Sequence, residues 1–273
     1  MEHIFEDIRC ANRIVIKVGT STLTYQTGKM NLQIIDQLAR VLSDLRNQGK
    51  EIVLVSSGAI GIAVGKLGLS EKPKETAKKQ AVAAVGQCEL MYLYDKLFSE
   101  YNNTVAQILL TAEDIGIPRR KRNVQNTISE LLDMGIIPIV NENDTVSAKE
   151  IEIGDNDNLS AMVAEMIDAD LLVLFSDIDG LYDKDPHVHP DAKKLEIVFD
   201  LDQLTCSAGG AGTKQGTGGM VTKLQAAKHA TGEGIHMVIA NGQKITALYD
   251  ILDGKQVGTL FVSKNFSEKE IKA

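Results

Sequence analysis

Apolar residues in this chain follow two rhythms that take turns. Continuous apolar runs rich in β-branched residues occur at Arg13–Val18 (RIVIKV), Glu51–Ser56 (EIVLVS), Thr104–Leu110 (TVAQILL), Ile136–Val140 (IIPIV), Asp170–Ser176 (DLLVLFS) and His236–Ala240 (HMVIA). Runs of this kind, without polar alternation, predict strands buried on both faces, as in a parallel sheet. Between them the spacing turns helical. Leu32, Ile35, Leu38, Leu42 and Leu45 mark one face of a helix within Asn31–Gly49, with Gly49 as its C-cap. A second helical stretch covers about Lys78–Tyr101, and helical patterns separate the other runs. The alternation predicts an α/β protein, an open three-layer α/β/α sandwich with a mainly parallel central sheet. No linker divides the chain and no internal repeat is visible. The glycine-rich stretch Ser207–Gly219 is expected to be a mobile loop.

In such sheets ligands bind beyond the carboxyl ends of the strands. The segments that follow the strands are unusually polar here: KVGTS (Lys17–Ser21), SSGAIG (Ser56–Gly61), NENDTV (Asn141–Val146) and SDIDGLYDKDP (Ser176–Pro186). Lys17, with a glycine two residues on, suits a charge held against a phosphate; the plainer reading is a lysine reaching off an edge strand. SSGAIG offers unpaired N–H groups at a strand-to-helix turn, or simply a tight packing turn. The Asx-rich NENDTV and EIGDNDNLSAMVA (Glu152–Ala164) are costly to desolvate without partners. Two such clusters near one sheet edge exceed what turn preference explains. The acidic SDIDGLYDKDP lacks the spacing and closing Glu of a calcium loop. GTGGMVTKLQAAKHA (Gly216–Ala230) sets glycines ahead of Lys223 at a helix start, the order of a phosphate cradle. It is not a P-loop, because none of the Gly-Lys pairs at Gly28, Gly49, Gly65 and Gly254 is followed by Ser or Thr. Gly58, Gly61 and Gly65 do not have dinucleotide-fingerprint spacing. Together the pieces suit a nucleotide-dependent kinase site without a P-loop.

Composition narrows the field. The 273 residues are 44% hydrophobic, enough for a substantial core. A net charge of -8 argues against a general nucleic-acid binder. The basic run Arg119–Arg122 reads as a solvated helix start or a local anion contact. Cys10, Cys88 and Cys206 form neither a disulfide framework nor a zinc spacing, and the histidines form no ligand motif, so no protein-held metal is expected. Glu2, Glu6 and Asp7 rule out a signal peptide, and no apolar run reaches transmembrane length. A cytoplasmic protein with no membrane or nucleic-acid partner is expected.

KVGTS, VSSGAIG, NENDTV, GDNDNLSA, SDIDGLYDKDP and GTGGMVTKLQAA stand in the order of the amino-acid kinase family, which the chain resembles from about Arg13 to Ser263. The joint pattern is specific where any single motif is not. The resemblance implies a kinase domain over residues 1–264, a tail over 265–273, and no C-terminal PUA domain of the kind many bacterial members carry. The wording is similar to that of members acting on the γ-carboxylate of L-glutamate. That implies ATP with Mg²⁺, L-glutamate 5-phosphate as product, and the first step of proline biosynthesis. Carried over residue by residue, Lys17 and Lys223 contact the transferring phosphoryl group, and Asp157 holds the two lysines in place. Ser57, Asp144 and Asn156 bind glutamate, and Asn141 shapes that pocket. Lys17, Ser176, Asp177, Thr217, Gly218, Gly219, Met220, Val221, Thr222 and Lys223 bind ATP. Ser176 stands where many relatives have Thr, and the hydroxyl is kept. The resemblance further implies a homo-oligomer, feedback inhibition by proline at a site overlapping the glutamate pocket, and hand-off of product to glutamate 5-phosphate reductase.

Elementary chemistry agrees with that reading. A γ-carboxylate with a pKa of about 4.3 is already ionised at neutral pH, so the nucleophile needs no general base. The difficulty is bringing an anion to a polyanion, and lysines with Mg²⁺ address it. Other members of the same fold, which phosphorylate aspartate, acetylglutamate, carbamate or uridylate, remain alternatives. So does a non-catalytic amino-acid sensor. A nicotinamide-dependent dehydrogenase is disfavoured by the missing glycine fingerprint.

Overall fold

The computed structural model describes residues 2–25, 27–147, 156–184, 186, 188–201 and 219–266. The strands are β1 (Arg13–Val18), β2 (Glu51–Ser56), β3 (Val105–Leu110), β4 (Ile137–Glu142), β5 (Leu171–Ser176), β6 (Leu181–Tyr182), β7 (Lys194–Leu195), β8 (Ile197–Val198), β9 (His236–Asn241) and β10 (Thr259–Phe261). The main sheet has eight strands in the order β3-β4-β2-β1-β5-β9-β10-β8. Ladders from β3 across to β9 are all parallel. β10 runs antiparallel to β9, and β8, parallel to β10 at the sheet edge, shares its reversed direction. The sequence-based expectation of a mainly parallel sheet therefore holds, and the short β10 and β8 are the strands of this sheet that its pattern did not announce.

The helices include α1 (Glu2–Cys10), α2 (Thr20–Leu23), α3 (Leu32–Asn47), α4 (Ala59–Lys66), α5 (Thr76–Ser99), α6 (Ala112–Gly116), α7 (Pro118–Asp133), α8 (Asn156–Met166), α9 (Met220–Gly232) and α10 (Ala247–Leu252). Helix α3 begins where Asn31 caps it, its Oδ1 accepting from the Ile34 N–H at 3.3 Å. It stops before Gly49, which takes a φ of +95° that only glycine adopts freely.

Alternation along the buried strands sorts side chains to two faces. Ile14, Ile16, Val18, Ile52 and Leu54 pack with Leu38 and Leu42 of α3 and Leu90, Tyr94 and Phe98 of α5. Val15, Val53, Val55, Leu172 and Leu174 pack with Ile128 of α7, Leu159 and Val163 of α8, and Ala226 and Ala230 of α9. The sheet is thus a middle layer covered on both sides. The same parity decides the site. Lys17 follows Val15 toward α8, Ser176 follows Leu174 to the same side, and Asn141 turns the other way, toward α5.

Helix α5 lies unusually close to the start of α4. A Cβ on Gly86 would stand 1.7 Å from the carbonyl oxygen of Ala59, so only glycine permits this approach.

At the amino ends of the strands, polar groups serve as fasteners. Asp170 Oδ2 accepts from the backbone N–H groups of Asn12 (2.7 Å) and Arg13 (2.8 Å). Arg13 Nε donates to Glu51 Oε2 at 2.6 Å, and Arg46 Nε to the Gly135 carbonyl at 2.9 Å. The basic run Arg119–Arg122 lies in the first turns of α7, where Arg120 faces Glu113 and Asp114 and Lys121 pairs with Glu165. Both sequence readings of that run, a helix start and a local anion contact, are met.

Candidate active site

Lys17 is the penultimate residue of β1, a central strand, so the edge-strand reading fails. Its ammonium has one direction to go, up along the α8 face, and there it meets the first turn of α8. Lys17 Nζ stands 2.6 Å from Asp157 Oδ1. Lys223, on the first turns of α9, reaches the other oxygen, with Nζ 3.1 Å from Oδ2. Asp157 is fully buried, and the lysines are only 5% and 7% exposed. Burial pushes the Asp157 carboxyl up, but the positive charges of Lys17 and Lys223, and their hydrogen bonds, outweigh it and hold the group below its ordinary value. The carboxylate stays ionised and the trio keeps one net positive charge. The Thr222 hydroxyl has its one hydrogen to donate to either Asp157 Oδ2, at 3.0 Å, or the Gly219 carbonyl, at 2.8 Å. Ser160 Oγ ties the Asp157 carbonyl at 2.6 Å.

Beside this trio lies a cleft of about 160 Å³, lined by residues that include Ser57, Gly58, Lys72, Asn141, Asp144 and Asn156. Four of these were singled out in the sequence, and the fold brings all four together. Asn156 Nδ2 donates to Ser57 Oγ at 2.8 Å and to Asn141 Oδ1 at 2.9 Å. Asn141 Nδ2 donates to Gln87 Oε1 at 2.9 Å. The turn after β2 carries Gly58 at a φ of +104° and opens directly into α4. Ser56, one residue before Ser57, is paired with the Tyr94 hydroxyl at 2.8 Å and belongs to the core.

The expected nucleotide residues are placed less completely. Ser176 ends β5 and is buried, donating to Asp177 Oδ1 at 2.9 Å, while its carbonyl accepts from the Gly242 N–H at 2.7 Å. Gly219 is the N-cap of α9 with no side-chain cap, and Met220 and Val221 begin the helix, Val221 exposed. Thr217 and Gly218 lie outside the described residues, as do Asp155 and nearly all of Ser207–Gly219. The rest of the acidic segment after β5 does different work. Asp179 accepts from Tyr182 (2.9 Å) and Lys194 (3.2 Å), and Asp183 from the Lys193 N–H (2.8 Å), which closes the β6–β7 hairpin. That explains these acids without a ligand.

Gln87, Lys72 and Thr20 were not visible as site residues in the sequence. Gln87 sits mid-helix in α5 with no motif around it; Lys72 lines the cleft from a loop and Thr20 from the start of α2. Only the alternation that sends Asn141 toward α5 could have pointed to Gln87.

Comparison with known proteins places this geometry. The amino acid kinase family model matches residues 12–241. A glutamate 5-kinase of Clostridium perfringens is 55% identical over 262 residues, spanning 94% of this chain and 97% of that protein. A glutamate 5-kinase of Clostridium acetobutylicum is 56% identical over 255 residues, spanning 93% and 96%. Among solved structures, carbamate kinase from Giardia lamblia bound to AMP-PNP superposes with a TM-score of 0.66 at 16% identity, covering 94% of this chain and 100% of that one. UMP kinase from Bacillus anthracis gives a TM-score of 0.63 at 16% identity, covering 93% and 97%. These likenesses speak for the fold.

Proposed function

We infer the function from one premise: the chain belongs to the amino acid kinase family. It transfers the γ-phosphoryl group of ATP to the γ-carboxylate of L-glutamate, giving L-glutamate 5-phosphate and ADP, the first step of proline biosynthesis. The observation that carries the reading is the buried Lys17–Asp157–Lys223 trio beside an amide-lined cleft.

The chemistry follows from those groups. Phosphoryl transfer asks the protein mainly to position two anions and to stabilise charge on the moving group. Lys17 and Lys223 supply that charge, Lys223 on the side of the leaving oxygen and Lys17 over the transferring phosphoryl. Asp157 offsets the mutual repulsion of the ammonium groups and fixes their separation, so the charge is arranged before substrate arrives. Ser57, Asn141, Asp144 and Asn156 hold glutamate, with Asp144 facing its α-ammonium. Ser176, Asp177 and the segment from Thr217 to Lys223 hold ATP. Among the described residues no three His, Cys, Asp or Glu side chains are placed to cage a metal ion. Mg²⁺ carried on the nucleotide phosphates would neutralise their charge when bound. Feedback inhibition by proline in the glutamate cleft, a homo-oligomeric state and hand-off to glutamate 5-phosphate reductase complete the proposal. No described helix is long and apolar enough to cross a membrane.

Hydroxylamine trapping tests substrate and chemistry together. ATP, Mg²⁺ and glutamate should give ADP and a γ-glutamyl hydroxamate. Preferential turnover of aspartate, carbamate or UMP would overturn the assignment.

A further inference from the structure

Gln87 contributes to neither the phosphoryl trio nor the lining of the main cleft, yet it is buried at the end of a relay that leads there. The relay has a polarity that can be deduced. Asn141 Oδ1 accepts from the backbone N–H of Glu142 at 2.9 Å, and a backbone N–H can only donate. That contact decides which end of the Asn141 amide is which. The Nδ2 end must then face Gln87, so Gln87 must present its carbonyl, as it does at 2.9 Å. Asn141 Oδ1 also accepts from Asn156 Nδ2. The Asn156 amino group is spent on Asn141 and Ser57, which leaves its Oδ1 as the atom it can offer to the cleft. Ser57 Oγ, already accepting, keeps its hydrogen for donation.

The cleft therefore receives an acceptor from Asn156 and a donor from Ser57. That is the pattern an amino acid needs, an acceptor for its ammonium and a donor for its carboxylate. Gln87 locks the pattern from behind. Its other end supports this view: Gln87 Nε2 is buried with no hydrogen-bond partner among the described residues. It points to a residue kept for its acceptor, since a buried amino group without a partner is otherwise a cost. Gly86, which lets α5 touch the start of α4, is what brings the side chain within reach.

We propose that Gln87 is a positioning residue for the amino-acid substrate, fixing the orientation of Asn141 and, through it, the acceptor that Asn156 turns to the substrate ammonium. The proposal rests on the glutamate reading above. Gln87→Met keeps the length and removes the acceptor. Leaving a buried donor unpaired is worth about an order of magnitude in affinity, so the KM for glutamate should rise roughly tenfold while the KM for ATP stays within about twofold. If Gln87 acts through Asn141, the double variant Gln87→Met/Asn141→Ala should be no worse than Asn141→Ala alone. Gln87→Glu is the second variant. Burial favours its neutral carboxyl, which keeps a carbonyl acceptor, so at pH 6 its glutamate KM should fall below that of the Met variant.

A glutamate KM within twofold of wild type in Gln87→Met, an ATP KM that rises as much, additive single effects, or no rescue by Glu would each overturn the relay. Hydroxamate formation by the wild type separates the two layers. A wild-type protein that forms none overturns the glutamate reading and the relay with it; an active wild type with an indifferent Gln87→Met overturns the relay alone.

Discussion

The two ends of the same parallel strands are built from the same residue types and use them in opposite ways. At the amino ends, Asp170 closes onto two backbone N–H groups, Arg13 onto Glu51, and Arg46 onto a carbonyl. Each charge there meets a fixed backbone group or a single opposite partner, and the result is a fastened seam. At the carboxyl ends, two ammonium groups share one carboxylate and keep a surplus charge, and an amide chain ends in an open cleft. The difference teaches that charge alone does not mark a site. What marks it is charge that is buried, ordered and left incomplete.

That contrast can be broken by substitution at either end. The largest effect is expected at the trio. Lys223→Met removes half of the phosphoryl-facing charge, and loss of one such electrostatic contact typically costs ~10²–10³-fold in kcat. Steady-state kinetics on a variant shown folded by circular dichroism checks this, and near wild-type kcat would remove Lys223 from the chemistry. In the cleft, Asp144→Asn should raise the glutamate KM by about tenfold and leave the ATP KM nearly unmoved. A charge-assisted contact to the ammonium is lost, while Asn would preserve a mere turn cap. An equal rise in both constants would deny Asp144 that role. At the fastened end, Asp170→Ala should lower stability by about 1–2 kcal/mol, read as a denaturant midpoint, with both KM values unchanged. A catalytic defect there would dissolve the distinction between the two ends.

The sequence made the sheet legible because its strands are apolar on both faces. β1 and β2 were read with the limits they have, and β5 and β9 to within a residue at one end. β10 escaped because three residues beside β9 gain their order from pairing rather than from pattern. α1 escaped too, a single amphipathic helix whose partners are far along the chain, on α10. For the site, local motifs showed where polar groups gather but not which of them meet. Lys17 and Lys223 are joined through Asp157 across more than half the chain, and no periodicity carries that; resemblance to a family did. Conversely, the acids after β5 looked like ligand material and are mostly hairpin ties, because turn chemistry and ligand chemistry use the same residues. Gln87 had no motif at all, since its partner Asn141 lies on another element.

One hydrogen atom governs how the amide-lined cleft is gauged. At Gly86 the gap between α5 and the Ala59 carbonyl leaves no room for a methyl group. Ala59 is the first residue of α4, two past Ser57, so the two helices meet as a dead stop in a jig rather than as a cushioned joint. A jig of that kind transmits position without slack. Any thickening at this point must displace the turn that carries Ser57, or back Gln87 away from Asn141, and either movement detunes the cleft from a distance. The spacing of the cleft is thus stored in a residue that has no side chain.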